Sequence, residues 1–492
     1  MKQIHYIRLN LCCLTLLLGV CLTVYGQGKM KLDLQQTISL ANDSSLEAFR
    51  AENLYLAGYW EYRTYQANRL PSLTLNTTPA EYNRDIIKRY DSEANVDVYR
   101  SQRNFFAYGN LAIRQNLDIT GGTFFIDSEL GYMRSFGDNK LTQYNSVPIR
   151  VGYSQSLIGY NAFKWERKIE PLKYEKIQKE FIYNTERVSE QATNYFFSLA
   201  MAQAEYKLAE ENVISNDTLY KIGLQRHKIA AISQADLLTL KLGYVNAQNS
   251  LKNAGISLKR AMFSLASFLS LDRNTQIELE LPGKPRHINI PVDRALVLAK
   301  ENNPQFLKLR QDILEAERNV DRTKKESRFN ASMNASIGFN QTAKRFADAY
   351  QDLMRQELIS LSVSIPLVDW GVRKGKYNMA RNNLNVIKTS SRQEEISIEE
   401  EVIMTVNDFD IQQSMIINAE EALDLSILAY NETRQRFIIG KADINSLTLS
   451  MNRQQEAQRN YIYALQNYWL NYYKIRKLTL HDFEYDMELK IK

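Results

Sequence analysis

The chain has 492 residues, a formal net charge of +6, 44% hydrophobic residues and only 9 prolines and 19 glycines. So few prolines and glycines leave long helices uninterrupted, and so small a charge excess argues neither for nor against a nucleic-acid partner. All three cysteines, Cys12, Cys13 and Cys21, lie near the N-terminus, so the remainder has no thiols for disulfides or cysteine metal sites.

Residues 1–26 carry Lys2 and Arg8, an apolar run from Leu9 to Val24, and small residues at Val24 and Gly26. These features predict a secretory signal peptide cleaved before Gln27. A lipid anchor on Cys21 is the rival reading, weakened by Val20 where a small residue is needed. Loss of Lys2 and Arg8 leaves +4, and an exported chain is not expected to have a nucleic-acid partner. Beyond this segment no apolar run reaches the roughly 18–20 residues of a membrane helix, so entry into a membrane requires a closed β-barrel.

The rest reads as one unit written twice. Leu40-Ala41 leads to the extended Pro71-Ser72-Leu73-Thr74-Leu75, and Leu298-Ala299 leads to Asn330-Ala331-Ser332-Met333-Asn334, an offset of 258. Further on, Gln225-Arg226 matches Gln435-Arg436 and Ala247-Gln248 matches Ala457-Gln458, at an offset of 210. The first copy therefore carries 48 extra residues between about 76 and 151. The expected organisation is a signal peptide over 1–26, a first repeat over 27–287 with a β insertion within 77–150, a second repeat over 288–480, and a tail over 481–492. Such duplication marks units that bury their apolar faces against neighbours.

Strand-like stretches fall at Ser72 to Thr77, Asn110 to Asp118, Thr123 to Phe136, Val147 to Leu157, Ala331 to Phe339 and Leu358 to Leu367. Asp118-Ile119-Thr120-Gly121-Gly122 between two of them is a hairpin signal. Polar Asn83 to Asn104 and Gly137 to Ser146 read as outer loops of an additional hairpin. Aromatics collect where strands hand over to helices, at Tyr160, Trp165 and Trp370, which suits a membrane interface as well as a packed corner.

Heptad seams follow. Val188, Ala192, Tyr195, Leu199, Ala202 and Tyr206 recur as Ile398, Val402, Thr405, Phe409, Gln412 and Ile416, and a third seam runs from Leu237 to Phe268. They predict long coiled-coil helices, the first arm from about Leu172 to His227 being roughly 80 Å long at 1.5 Å per residue. Helical direction must reverse at Ile229 to Ser233 and Gly440 to Ile444, and Gly440 suits a helix C-terminus needing positive φ. The four histidines are scattered, and the acidic groups Glu399-Glu400-Glu401 and Asp408/Asp410 read as solvated faces, so no catalytic, cofactor or metal constellation is expected.

The Leu70-Pro71-Ser72-Leu73 segment, Ala299 to Pro304, Ser364-Ile365-Pro366-Leu367 with Gly371, and the run Arg436 to Ile444, taken in order, resemble the TolC family of outer-membrane efflux channels over nearly the whole chain. The resemblance implies a mainly α fold with a β-barrel portion: a homotrimer whose α-helical barrel is continuous with a barrel in the outer membrane of a Gram-negative bacterium. It implies the passive exit duct of a tripartite efflux pump or type I secretion system, with outer-membrane lipid, a periplasmic adaptor protein and an inner-membrane transporter as partners. It further implies adaptor contact at Ile229, Ala230, Ala231, Ile232, Ser233, Gly440, Lys441, Ala442, Asp443 and Ile444. Gate or pore candidates are Asp236, Phe437, Asp443, Ser446 and Leu449. The chain departs from the family pattern where Ala230 replaces a glycine six residues before Asp236, and where Ser446 and Leu449 replace aspartates. An exported coiled-coil structural protein or a periplasmic adaptor is the alternative.

Overall fold

In a computed structural model of the chain, which describes residues 30–93, 95–136 and 140–491, the duplication is visible element by element. The expected signal peptide lies outside the described residues. Strand β1 (Met30–Leu32), helices α1 (Leu34–Ser44) and α2 (Leu46–Ala67) lead to β2 (Ser72–Asp91), β3 (Val96–Leu117), β4 (Gly122–Phe136) and β5 (Leu141–Ser156). Next come α3 (Ala162–Lys228), α4 (Gln234–Phe268) and β6 (Ile277–Leu279). The second copy supplies α5 (Val292–Asn302), α6 (Pro304–Glu326), β7 (Asn330–Ala343), β8 (Met354–Ser364), α7 (Val372–Ile438) and α8 (Ile444–Thr479). Helices α3 and α7 each have 67 residues, and their ends coincide at the offset of 210. The chain divides into two compact units that cut across the repeats.

One unit comprises residues up to Leu54, Lys179–Asn303 and Glu399 onward. Its core is built from the heptad positions: Val188, Ala192 and Leu199 of α3, and Val402, Phe409 and Ile416 of α7, are all buried. Phe409 packs against Tyr468 of α8 at 4.9 Å, and Tyr195 stacks on Phe268 at 4.7 Å. The repeat extends to single hydrogen bonds. Gln203 donates to the Ile277 carbonyl at 2.7 Å and accepts from the Leu279 amide at 3.2 Å. Its counterpart Gln413 donates to the Ile288 carbonyl at 3.1 Å and accepts the Ile288 amide at 2.8 Å. Beside this core Arg476 bridges Glu186 (2.9 Å) and Asp482 (2.8 Å), and Tyr472 donates to Asp482 at 2.7 Å. Both carboxylates are buried, so the guanidinium balances charges that would otherwise stand unpaired at high cost.

The other unit comprises Tyr55–Gln178 and Pro304–Ile398. Its six strands form one antiparallel sheet in the order β2-β3-β4-β5-β7-β8. Tyr62 stacks on Tyr174 at 4.4 Å, and Lys388 pairs with Glu317 at 3.6 Å.

Three expectations need correction. Residues 83–104 and 141–146 are not loops: β2 and β3 pair without interruption from Tyr82↔Phe105 to Asp91↔Val96, and β5 pairs with β4 from Leu141 onward. Charges on both faces made the longer segment look unstructured, but a ladder of backbone hydrogen bonds does not require an apolar face. The first helical arm starts at Ala162 and runs through Pro171, not from Leu172. The missing Pro171 amide costs one helical bond, while Ile169 and Leu172 on either side are buried and hold the helix in place. Finally, β8 stops at Ser364, because Pro366 has no amide for the ladder and Leu367 is fully outside it.

Candidate functional sites: a two-faced sheet and two helix tips

Successive side chains in a strand point to opposite faces, so the register assigns every sheet residue to a side. Ser72↔Arg114, Thr74↔Ala112 and Asn76↔Asn110 share a face, which continues through Asp127, Arg150 and Gly338 to Asn334↔Ser360 and Ser332↔Ser362. This face is largely polar, with Ala112, Phe125, Val147 and Leu358 among the apolar residues on it. The opposite face carries Leu73, Leu75, Leu111, Ile113, Phe124, Ile126, Val151, Ile337, Ile359, Leu361 and Val363. Most of these large apolar side chains are exposed, Ile359 at 83%. Exposing so continuous an apolar face to water is unfavourable at about 25 cal/mol per Å², whereas lipid accepts it, and the polar face suits a water-filled lumen. No helix among the described residues is long and apolar enough to cross a membrane.

The polar face of the inserted hairpin is stapled. Arg150 on β5 donates to Asp127 on β4 through Nε (3.0 Å) and Nη2 (2.5 Å), and Asn110 on β3 donates to the same carboxylate at 3.1 Å. Three strands thus share one carboxylate, and the insertion joins the sheet instead of folding away from it. Of the interface aromatics, Trp370 is 95% exposed and has φ +53°. Trp165 donates Nε1–H to Asp321 on α6 at 2.8 Å, and Tyr160 is half-buried with its hydroxyl pKa raised mainly by that burial. Those two rings are therefore corner-packing groups, because each has a protein surface against it.

The helix reversals fall at residues 229–233 and 439–443, between α3 and α4 and between α7 and α8. Both tips close in the same way. Ala230 donates its amide to the His227 carbonyl and Ala231 to Arg226; Gly440 donates to Phe437 and Lys441 to Arg436, at 3.0 and 2.8 Å in each case. The residue at the turn must take positive φ, and Ala230 (+56°) and Gly440 (+79°) both do. The helices that follow begin with the same two residue types in exchanged order. Ser233 caps α4, with its hydroxyl accepting the Asp236 amide at 3.1 Å while Asp236 accepts the Ser233 amide at 3.1 Å. Asp443 caps α8 by accepting the Ser446 amide at 2.6 Å. The Ser233 hydroxyl, then its amide, holds the Asp236 carboxyl below the usual aspartate range, and the Ser446 amide does the same for Asp443.

Arg226 ties the two tips together. Its Nη2 donates to the carbonyls of Phe437 and Ile438, 3.3 Å each, at the C-terminal end of α7, and its guanidinium lies 5.5 Å from the Phe437 ring centre. Phe437 is thereby buried, so among the gate candidates it is the one whose ring does not face solvent; Asp236, Asp443 and Leu449 do, and Ser446 is likewise exposed. Gly223, which lies seven residues from the turn, serves helix packing: a Cβ there would overlap Leu240. Arg226 stands out in the sequence only as half of the repeated Gln-Arg pair, and its role is not legible there, since it depends on a carbonyl pair 211 and 212 residues away.

An exposed apolar face on one side of the sheet and a polar face on the other are the pattern of strands that meet lipid on one side and water on the other. Residues 295–479 match the family of outer membrane efflux proteins. No curated protein matches the chain. Among solved structures, the Campylobacter jejuni CmeC outer membrane channel is similar over 93% of this chain and 87% of its own, with 12% identity and a TM-score of 0.66. The Vibrio cholerae outer membrane protein VceC (93% and 97%, 14% identity, TM-score 0.63) and the open state of the Neisseria gonorrhoeae MtrE channel (93% and 91%, 12%, 0.60) share the same fold. Residues 295–479 thus carry the sequence signature of outer membrane efflux proteins, and over nearly its whole length the chain has the fold of these channels.

Proposed function

We propose that three copies of this chain close one duct and that the duct is passive. The observation that carries this reading is the sheet register: one apolar face, one polar face, and two free edges, β2 and β8. Because the sheet has an even number of strands, β8 of one copy can pair antiparallel with β2 of the next without reversing direction. Three six-stranded sheets would form a barrel of eighteen strands, a size at which outer-membrane barrels hold water. Free edges are a liability that closure removes.

On this reading the tips at Ile229 to Ser233 and Gly440 to Ile444 receive a periplasmic adaptor that links the duct to an inner-membrane transporter, for efflux or type I secretion. Asp236 and Asp443, ionised and exposed, are the carboxylates nearest the entrance, and Trp370 lies at the periplasmic interface of the outer membrane. The apolar outer face favours this over a coiled-coil structural protein or an adaptor, neither of which needs lipid. Native mass spectrometry in detergent and planar-bilayer recording test it together. A trimer with a large, ohmic conductance is expected; a monomer that leaves the outer-membrane fraction without detergent would end the reading.

A further inference from the structure

The lipid-facing side of the sheet has an outer border made of rings. Tyr82, Phe105, Tyr132, Tyr144 and Phe346 lie on or beside this face, with centroids 6.1 Å apart for Phe105–Tyr132, 5.1 Å for Tyr132–Tyr144 and 5.9 Å for Tyr144–Phe346. Aromatic girdles of this kind mark the level where hydrocarbon gives way to headgroups. From Phe105, β3 runs back past Leu111 and Ile113 to Gln115, about the roughly 9–11 residues a tilted membrane strand needs. The ladder is at the outer end, because past it β2 and β3 continue only to their own turn, whereas the other ends of the sheet lead into helices.

At this border and immediately outside it, on the same face, stand three arginines. Arg84 is directly opposite Arg103, and Arg134 is directly opposite Phe105, one pair further in. The Arg134 guanidinium is 5.1 Å from the Phe136 ring centre, and Phe136 is opposite Arg103. Like charges facing one another across strands are destabilising. Among the described residues no carboxylate pairs with any of the three; further out on the same face of β3, Asp97 is taken by Lys88 at 2.8 Å. All three side chains are exposed. They are therefore placed where the partner is a headgroup, and guanidinium forks match phosphate oxygens bidentately.

We propose that Arg84, Arg103 and Arg134 form a binding site for the phosphate groups of a phosphorylated glycolipid in the outer leaflet, seated on the lipid-facing side of the aromatic border. The inference rests on the outer-membrane placement given above. Bound phosphate neutralises the opposed arginines, while the rings meet the acyl chains below, so the lipid holds the inserted hairpin upright where the barrel wall ends.

The test uses full-length protein purified from membranes, with native mass spectrometry to count retained lipid. The probes are bisphosphorylated lipid A, the same lipid stripped of phosphate, and phosphatidylglycerol. Wild type should retain lipid A and lose most of that retention with the dephosphorylated lipid. The triple variant Arg84→Gln, Arg103→Gln, Arg134→Gln should bind lipid A about a hundredfold more weakly, several-fold for each charge removed, and the corresponding triple Lys variant should recover part of the loss. Equal retention by the triple Gln variant, or phosphatidylglycerol held as firmly as lipid A, overturns the proposal. If the triple variant does not fold, Arg103→Gln alone decides, with a several-fold loss expected and no loss overturning. Density-gradient fractionation of wild type separates the two levels: absence from the outer membrane defeats the underlying placement, whereas correct fractionation with unchanged lipid retention defeats only the arginine site.

Discussion

Ala230 and Gly440 stand 210 residues apart and occupy one backbone state, with φ of +56° and +79° and matching hydrogen bonds to the helices they end. Glycine takes this conformation freely, whereas a Cβ costs about 1–2 kcal/mol. Gly440→Val should therefore destabilise the second tip by at least that amount, since valine is also β-branched, and should reduce efflux while leaving membrane-inserted oligomers intact. Ala230→Gly should be neutral or stabilising by up to about 1 kcal/mol, as relief of strain is offset by the flexibility glycine adds to the unfolded chain. Thermal unfolding in detergent and drug-susceptibility assays check both; a Gly440→Val protein with wild-type stability and efflux contradicts the assignment.

The exchanged caps predict a pH response. Asp236 and Asp443 both have carboxyls held below the ordinary aspartate value of about 3.9 by hydrogen bonds present only in the folded tips. Their contribution is present above the unfolded value and is lost as pH falls through the lower folded one. Amide exchange at Asp236 and Ser446 should thus stay slow, relative to intrinsic rates, at neutral pH and lose protection only below about pH 4. Protection unchanged down to pH 2 would remove both carboxylates from the capping account.

Arg226 holds the α7 C-terminus through two carbonyls and covers Phe437. Hydrogen bonds from charged groups contribute about 1.5–3 kcal/mol, reduced here because the side chain is only half-buried. Arg226→Gln should loosen the tip by about 1 kcal/mol and raise the open fraction in bilayer recordings several-fold. An unaltered open fraction would show that this contact does not hold the tips.

The two faces of β8 should respond oppositely to charge. Ile359 is exposed on the apolar face and Ser360, its neighbour, lies on the polar one. Ile359→Lys should cost about 2–4 kcal/mol if it lies near the bilayer midplane and lower the amount of folded protein, while Ser360→Lys should leave folding unchanged and shift ion selectivity. Equal tolerance at both positions is incompatible with a lipid-facing Ile359.

Much of the architecture is local and was legible without coordinates. The offsets of 258 and 210 foretold paired helices whose ends coincide, because heptads and turn residues depend only on neighbours in sequence. The glycine at 440 announced its own conformation, and the surplus between residues 76 and 151 was recognisable as β-rich. Tertiary structure decided what depends on register. Alternation alone cannot tell which strands are adjacent, so neither the six-strand order nor the continuous apolar face could be assembled from sequence, and a charged ribbon at 83–104 looked like a loop. The same holds for single side chains. Arg226 acquires its role from carbonyls of a distant helix end, Trp165 becomes a packing group only because Asp321 is brought to its ring nitrogen, and the arginines at 84, 103 and 134 form a group only once three strands are laid side by side.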